Sequence, residues 1–144
     1  MELIQSLADF EKMPEGPEIG VKTIHDDLQR GAVFVKLAFQ GIKCAGMVLY
    51  YLAYSSWQGQ CIHMEDLYVR PEFQRQGLAK LFVKSLAKEA AEKGYKRINW
   101  NVLNWNTPAR DFYKTLKAAD LSESEGWLLY RLEEKNILAL ANEP

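Results

Sequence analysis

The sequence predicts an α+β domain: a central mixed, mostly antiparallel sheet flanked by helices. Three observations lead there. Three β-rich stretches between Ala32 and Val69 are separated by turns of only a few residues, the pattern of an antiparallel meander. After Val69 the pattern switches to a helical period and then returns to a strand, which is a crossover that makes a parallel pair. Short amphipathic segments stand before and after this block, as covering helices should.

Each element has its own signal. "MELIQSLADFEK" places Leu3, Ile4, Leu7 and Phe10 at helical spacing and should stop before the Pro- and Gly-rich "MPEGPEIG". "VKTIHDDLQRG" reads as a second short helix closed by Gly31. "AVFVKLAF" is a strand, Gln40-Gly41 a turn, and "KCAGMVLYYLAYSS" a long second strand. "SWQGQ" turns the chain into a third, "CIHMEDLYV". Leu78, Leu81, Phe82, Leu86 and Ala90 then share one face of a helix that runs to about Lys93 and ends at Gly94. "RINWNVL" is the next strand. "NTPARDFYKTL" is a helix with Asn106 or Thr107 as cap and Pro108 in its first turn. "GWLLYRLE" reads as a last strand and "EKNILALA" as a terminal helix.

The totals narrow the class. With 144 residues, 48% of them apolar and 26% charged, the chain suits one globular domain spanning residues 1–144. A net charge of -1 gives no basic excess for nucleic acid. No apolar run is long enough to span a bilayer, and the start lacks the features of a signal peptide. Cys44 and Cys61 read as buried thiols of a cytosolic protein. His25 and His63 form no metal cluster with spaced Cys or carboxylates, so no metal is expected.

The turn Gln74-Arg75-Gln76-Gly77-Leu78-Ala79 joins the third strand to the long helix. A helix's first amides lack internal partners, and its N-terminus carries partial positive charge. Gly77 and Ala79 leave the amides of Gln74 to Leu78 uncovered, so they suit a diphosphate, with Arg75 adding charge. A simple loop-to-helix turn is the alternative. The dinucleotide fingerprint with three spaced glycines and the P-loop ending in Gly-Lys-Ser/Thr are both absent.

With its neighbours, this turn resembles the GCN5-related N-acetyltransferase (GNAT) superfamily. "MEDLYVRPEFQRQGLAK", "NWNTPARDFYK" and "ADLSESEGW" look like the diamine, spermidine/spermine and thialysine N-acetyltransferase branch, over about Val48 to Leu132. The resemblance implies acetyl-CoA as co-substrate. It implies that Leu67, Tyr68 and Val69 pair with the pantetheine arm and acyl group, and that Arg75, Gln76, Gly77, Leu78, Ala79 and Lys80 surround the phosphates. Asn106, Thr107, Pro108 and Ala109 would line the coenzyme's other side, with Tyr113 beside them. Backbone amides where two parallel strands splay would stabilise the oxyanion.

An attacking amine must be neutral, yet an alkylammonium has a pKa of about 10.4, so a carboxylate that holds it and accepts its proton is needed. Glu65 matches that role in the resembled branch. Strand alternation puts its neighbour Asp66 on the opposite face, where it would orient a polar neighbour. An exposed charge pair is the alternative. Tyr113 matches the acid that protonates the leaving thiolate; in isolation it reads as a packing aromatic. Phe10, Glu11, Trp57, Asn99, Trp100, Asn101, Glu125 and Trp127 match substrate-site positions beside Glu65.

The resemblance implies a small primary amine as acceptor: a thialysine-like amino acid, a diamine or a polyamine. The rival readings are a protein lysine or N-terminal acetyltransferase, and an acyl-CoA-binding module without turnover. Three departures stand out. Ser55-Ser56 replace an acidic residue of the polyamine enzymes, and Lys117 stands where thialysine-preferring relatives have glycine. The usual first strand is missing, since the chain begins directly in the first helix. Relatives are commonly homodimers, and the apolar "GWLLYRLEEKNILALA" offers material for such packing.

Overall fold

The computed structural model describes residues 1–143. They form two compact units, Met1–Leu103 and the part from Asn104 onward.

The first unit carries the sheet. Helices α1 (Glu2–Phe10) and α2 (Val21–Gln29) come first, each with an apolar stripe. Strands β1 (Phe34–Gln40), β2 (Lys43–Ser55) and β3 (Gly59–Val69) then pair in order as an antiparallel meander. A short 3-10 turn, Pro71–Phe73, leads into α3 (Leu78–Lys93), and β4 (Ile98–Asn99) returns parallel to β3. The result is an open, mixed four-stranded sheet in the order β1-β2-β3-β4.

The long helix fits its sequence at both ends. It starts at Leu78 after Gly77, and Gly94 closes it in the left-handed conformation that glycine adopts without penalty. Its buried Phe82, Leu86 and Ala90 lie on the side that packs on the sheet. Val48, Ile62, Met64 and Leu86 are the largest fully buried side chains, each contributing roughly 1.5–3 kcal/mol by leaving water.

A polar clamp joins the same layers. Glu89 of α3 accepts the Tyr50 hydroxyl at 2.8 Å and pairs with Lys36 Nζ at 2.9 Å and Lys93 Nζ at 3.1 Å. Burial works against its charge, but these donors outweigh it and hold the carboxyl at about 2. On the other face α1 packs on β3, and Arg70, just past that strand, holds Glu2 at 2.6 Å.

Gly46 permits one close approach. A Cβ there would stand 2.5 Å from the Tyr68 carbonyl oxygen and 3.1 Å from Val69 Cα. Only glycine lets β2 and the end of β3 come together at this point.

Two sequence expectations fail. "RINWNVL" supplies only the two paired residues Ile98 and Asn99. Residues 126–133 form no strand: Trp127, Leu128, Leu129, Tyr130 and Leu132 are exposed and find no sheet partner among the described residues. A β-rich composition makes a strand only where a neighbour accepts its hydrogen bonds.

The second unit holds α4 (Thr107–Thr115), α5 (Leu121–Glu125) and α6 (Glu134–Ala141). Asn106 caps α4, its side-chain oxygen accepting from the Ala109 amide, with Pro108 in the first turn. Helix α5 was not foreseen. Asp120 caps it by accepting from the Ser122 and Glu123 amides, and Asp120-x-x-Glu123 is the signal that would have revealed it.

Candidate active site

The parallel pair β3–β4 parts almost at once. Ile62 faces Ile98 and His63 faces Asn99, and β3 then runs on to Val69 with no partner on that side among the described residues. Leu67, Tyr68 and Val69 therefore lie on an open main-chain edge.

The antiparallel side of β3 is irregular at the same place. Tyr50 pairs with Met64 and Leu49 pairs with Asp66, which leaves Glu65 as an extra residue, a β-bulge. The bulge changes the alternation. Asp66 takes the face of Leu49, which is also the face of Tyr51 and its partner His63. Glu65 Oε2 lies 3.6 Å from His63 Nε2 and so reaches the same face. The expectation that Glu65 and Asp66 point to opposite faces is thus corrected: one inserted residue brings them together.

Their electrostatics follow from that placement. Burial pushes the Asp66 carboxyl up to about 6, and the negative charges of Glu65 and Glu11 push in the same direction. Burial also raises Glu11, just past α1. The Tyr51 phenol is raised by burial, then by Glu65 and Cys61. Asp66 thus feels two further carboxylates, one on its own strand and one just past α1. No group of three His, Cys, Asp or Glu side chains among the described residues is placed to hold a metal ion.

At the end of β3, Gln74 Nε2 donates to the Val69 carbonyl and ties the turn to the strand. Arg75 adopts φ 63 and Gly77 φ 84, both left-handed. The first amide of the helix with an internal acceptor is Leu81, which donates to the Gly77 carbonyl. The amides of Arg75, Gln76, Gly77, Leu78, Ala79 and Lys80 find no acceptor among the described residues. Nothing stands within 4 Å of where a Gly77 Cβ would be, so the space over these donors is open. Consecutive outward amides at a helix N-terminus, with a cationic side chain beside them, fit a diphosphate.

The other sequence-predicted residues fall as follows. In the first unit Asn99 is half-buried, its amide nitrogen 4.0 Å from Cys61 Sγ, and Trp100 and Asn101 follow it. Phe10 and Trp57 are exposed, Trp57 on the β2–β3 turn. In the second unit Asn106, Thr107, Pro108 and Ala109 form the first turn of α4, and Tyr113 lies further along it, half-buried against Phe112. Glu125 accepts the Trp127 indole N–H at 2.8 Å. Lys117 takes φ 61, which explains why glycine suits that position and shows that lysine also reaches it. Sequence reasoning assigned no role to His63 and did not single out Tyr51. Their rings stack at 4.9 Å, and only the strand register reveals it.

Comparison with known proteins adds to the geometry. The profile of the Acetyltransferase (GNAT) family matches residues 2–117. A thialysine N-epsilon-acetyltransferase of Caenorhabditis elegans is 43% identical over 141 residues, covering 98% of this chain and 88% of that protein. One of Sus scrofa is 36% identical over 151 residues, covering 98% and 89%. The spermidine/spermine N(1)-acetyltransferase-like protein 1 of Homo sapiens is 28% identical over 150 residues, 98% of this chain but 22% of that protein. Among solved structures, a probable acetyltransferase superposes with a TM-score of 0.76 at 22% identity, covering 92% and 90% of the two chains, which shows a shared fold. With its open mixed sheet, parting parallel strands and exposed amide turn, the chain belongs to the acetyltransferase (GNAT) family, whose members use acetyl-CoA as co-substrate.

Proposed function

We propose that this chain, acting as a single domain, transfers an acetyl group from acetyl-CoA to a primary amine of a small molecule. A thialysine-like amino acid is the preferred acceptor, ahead of diamines and polyamines. The observation that carries this reading is the acidic group on the α1 side of β3. Glu65 and Asp66, brought together by the bulge, and Glu11 offer negative charge to an ammonium beside the strand's open edge. The identity to two thialysine N-epsilon-acetyltransferases supports the amino-acid acceptor over a longer polycation.

Acetyl-CoA supplies the activated acetyl group. The amides from Arg75 to Lys80 bind its diphosphate, and the open edge of Leu67, Tyr68 and Val69 aligns its arm. The first turn of α4, Asn106 to Ala109, lines the coenzyme. Glu65 holds the ammonium and takes its proton, so the amine attacks directly without an acyl-enzyme. Tyr113 gives a proton to the departing sulfur. Asn99, Trp100, Asn101, Phe10, Trp57, Glu125 and Trp127 shape the acceptor side.

The proposal extends to a cytoplasmic homodimer that engages neither nucleic acid nor membrane. Two unpaired cysteines support the location, and no helix among the described residues is long and apolar enough to cross a membrane. The exposed Trp127, Leu128, Leu129 and Tyr130 supply apolar surface for a second copy.

A turnover panel tests the reading. Free thiol released from acetyl-CoA is followed with thialysine, lysine, diamines, spermidine and a lysine peptide. The highest kcat/KM is expected with thialysine. A peptide that outperforms every small amine would make the chain a protein acetyltransferase; coenzyme binding with no thiol release would make it a binding module.

A further inference from the structure

His63 stands in the middle of the acidic face with no part in the chemistry above. Resting on that reading of the amine site, we propose that His63 is a charge gate acting through Glu65. Uncharged, it leaves the carboxylate to the substrate ammonium; protonated, it holds the carboxylate itself and repels the ammonium.

The placement is specific. His63 Nε2 is 3.6 Å from Glu65 Oε2, and the histidine side chain is 17% exposed against 54% for Glu65. The carboxylate is therefore open to solvent, while the imidazole beside it is largely covered. The ring is held on one side by Tyr51 of β2, stacked at 4.9 Å with 22° between the planes. Its backbone is fixed by pairing with Tyr51 on one side and Asn99 on the other. The titratable groups that face it are Glu65 and Asp66 on β3, Tyr51 on β2, Cys61 two residues back, and Glu11 from the end of α1. Asn99 of β4 adds no charge.

The physical argument is competition. An imidazolium and an ammonium are both cations, so beside one carboxylate each repels the other and weakens its hold. Between pH 5 and 8 an imidazole changes charge while an alkylamine stays an ammonium, so across that range the protein side of the pair changes. Linkage makes the effect reciprocal: an ammonium at Glu65 must make His63 harder to protonate. Asp66 loses charge over part of the same range and weakens amine binding with the same sign, so a comparison that changes only His63 is required.

Two measurements on the full chain decide it. The ring signals of His63 are titrated by NMR, with His25→Gln identifying the other histidine, which is exposed on α2. The His63 midpoint should fall in Glu65→Gln, and in wild type it should fall on saturation with L-thialysine. Separately, the ratio of thialysine KM at pH 6 to that at pH 8 is measured at saturating acetyl-CoA. It should be about fivefold smaller in His63→Phe than in wild type, the size a near-water dielectric gives two unit charges about 4 Å apart.

A midpoint that Glu65→Gln leaves in place overturns the gate, as does an unchanged KM ratio in a folded His63→Phe. If His63→Phe does not fold, the NMR titration of the native histidine decides alone. The two readings fail separately. A thialysine KM indifferent to Glu65→Gln removes the amine site, whereas a midpoint shift in Glu65→Gln without that KM change leaves only the His63–Glu65 coupling.

Discussion

Asp66 follows Glu65 directly in the chain yet lies on the same face of the sheet, because β3 carries one residue more than β2 opposite Tyr50 and Leu49. Burial first, and then the like charge of Glu65, disfavour a second carboxylate there and push the Asp66 carboxyl up to about 6.

That proton has a stability consequence. The folded Asp66 carboxyl binds it more tightly than the usual 3.8, so ionisation between about pH 4 and pH 6 costs stability, and the full cost is present above pH 6. Asp66→Asn should therefore be more stable than wild type by roughly 1–3 kcal/mol at pH 7.5, with the gap closing by pH 4. Its amine KM should rise. Urea unfolding at the two pH values checks the first part, and equal gaps would show that Asp66 is not under electrostatic pressure.

Gly77 tests the coenzyme turn. Its φ of 84 is left-handed and no atom crowds the added methyl, so Gly77→Ala should lose only about 1 kcal/mol of stability. The KM for acetyl-CoA should rise while the amine KM stays. Lost stability with unchanged coenzyme affinity would reduce Gly77 to a turn residue.

Tyr113 divides chemistry from packing. Tyr113→Phe keeps the ring against Phe112 and removes the acidic proton. A fall in kcat on the order of 100-fold, with little change in coenzyme binding, is expected from a lost general acid. Wild-type turnover in this variant would assign the residue to packing.

Glu89 tests the clamp on α3. Glu89→Gln removes a carboxylate that serves Tyr50, Lys36 and Lys93, and should cost about 1–3 kcal/mol near neutral pH. Its folded pKa is depressed to about 2, so this contribution is present above about 4.5 and is lost as pH falls toward 2. Parallel stability curves for the two proteins across that interval would contradict the assignment.

Much of the fold was legible because its signals are local. Helix α3 spans Leu78–Lys93 and stops at Gly94, as its periodicity and capping glycine require. The meander follows from short glycine turns, and Asn106 caps α4 through its own side chain. The stretch from Trp127 to Leu132 has strand composition but no strand, because pairing needs an edge elsewhere in the chain. From Gly77 and Ala79 the uncovered amides were expected over Gln74 to Leu78; the structure puts them at Arg75 to Lys80, because the Gln74 amide donates to the Pro71 carbonyl and the helix start leaves two further amides without acceptors.

By itself, then, the sequence determined the element order, the helix ends, the amide turn and the family resemblance, since each rests on residues within a few positions of one another. The side of the sheet to which Asp66 turns, the stacking of His63 on Tyr51 and the early parting of β3 from β4 were decided only by the tertiary structure. A bulge exists only relative to the partner strand it mismatches, and a strand's own alternation carries no record of that register.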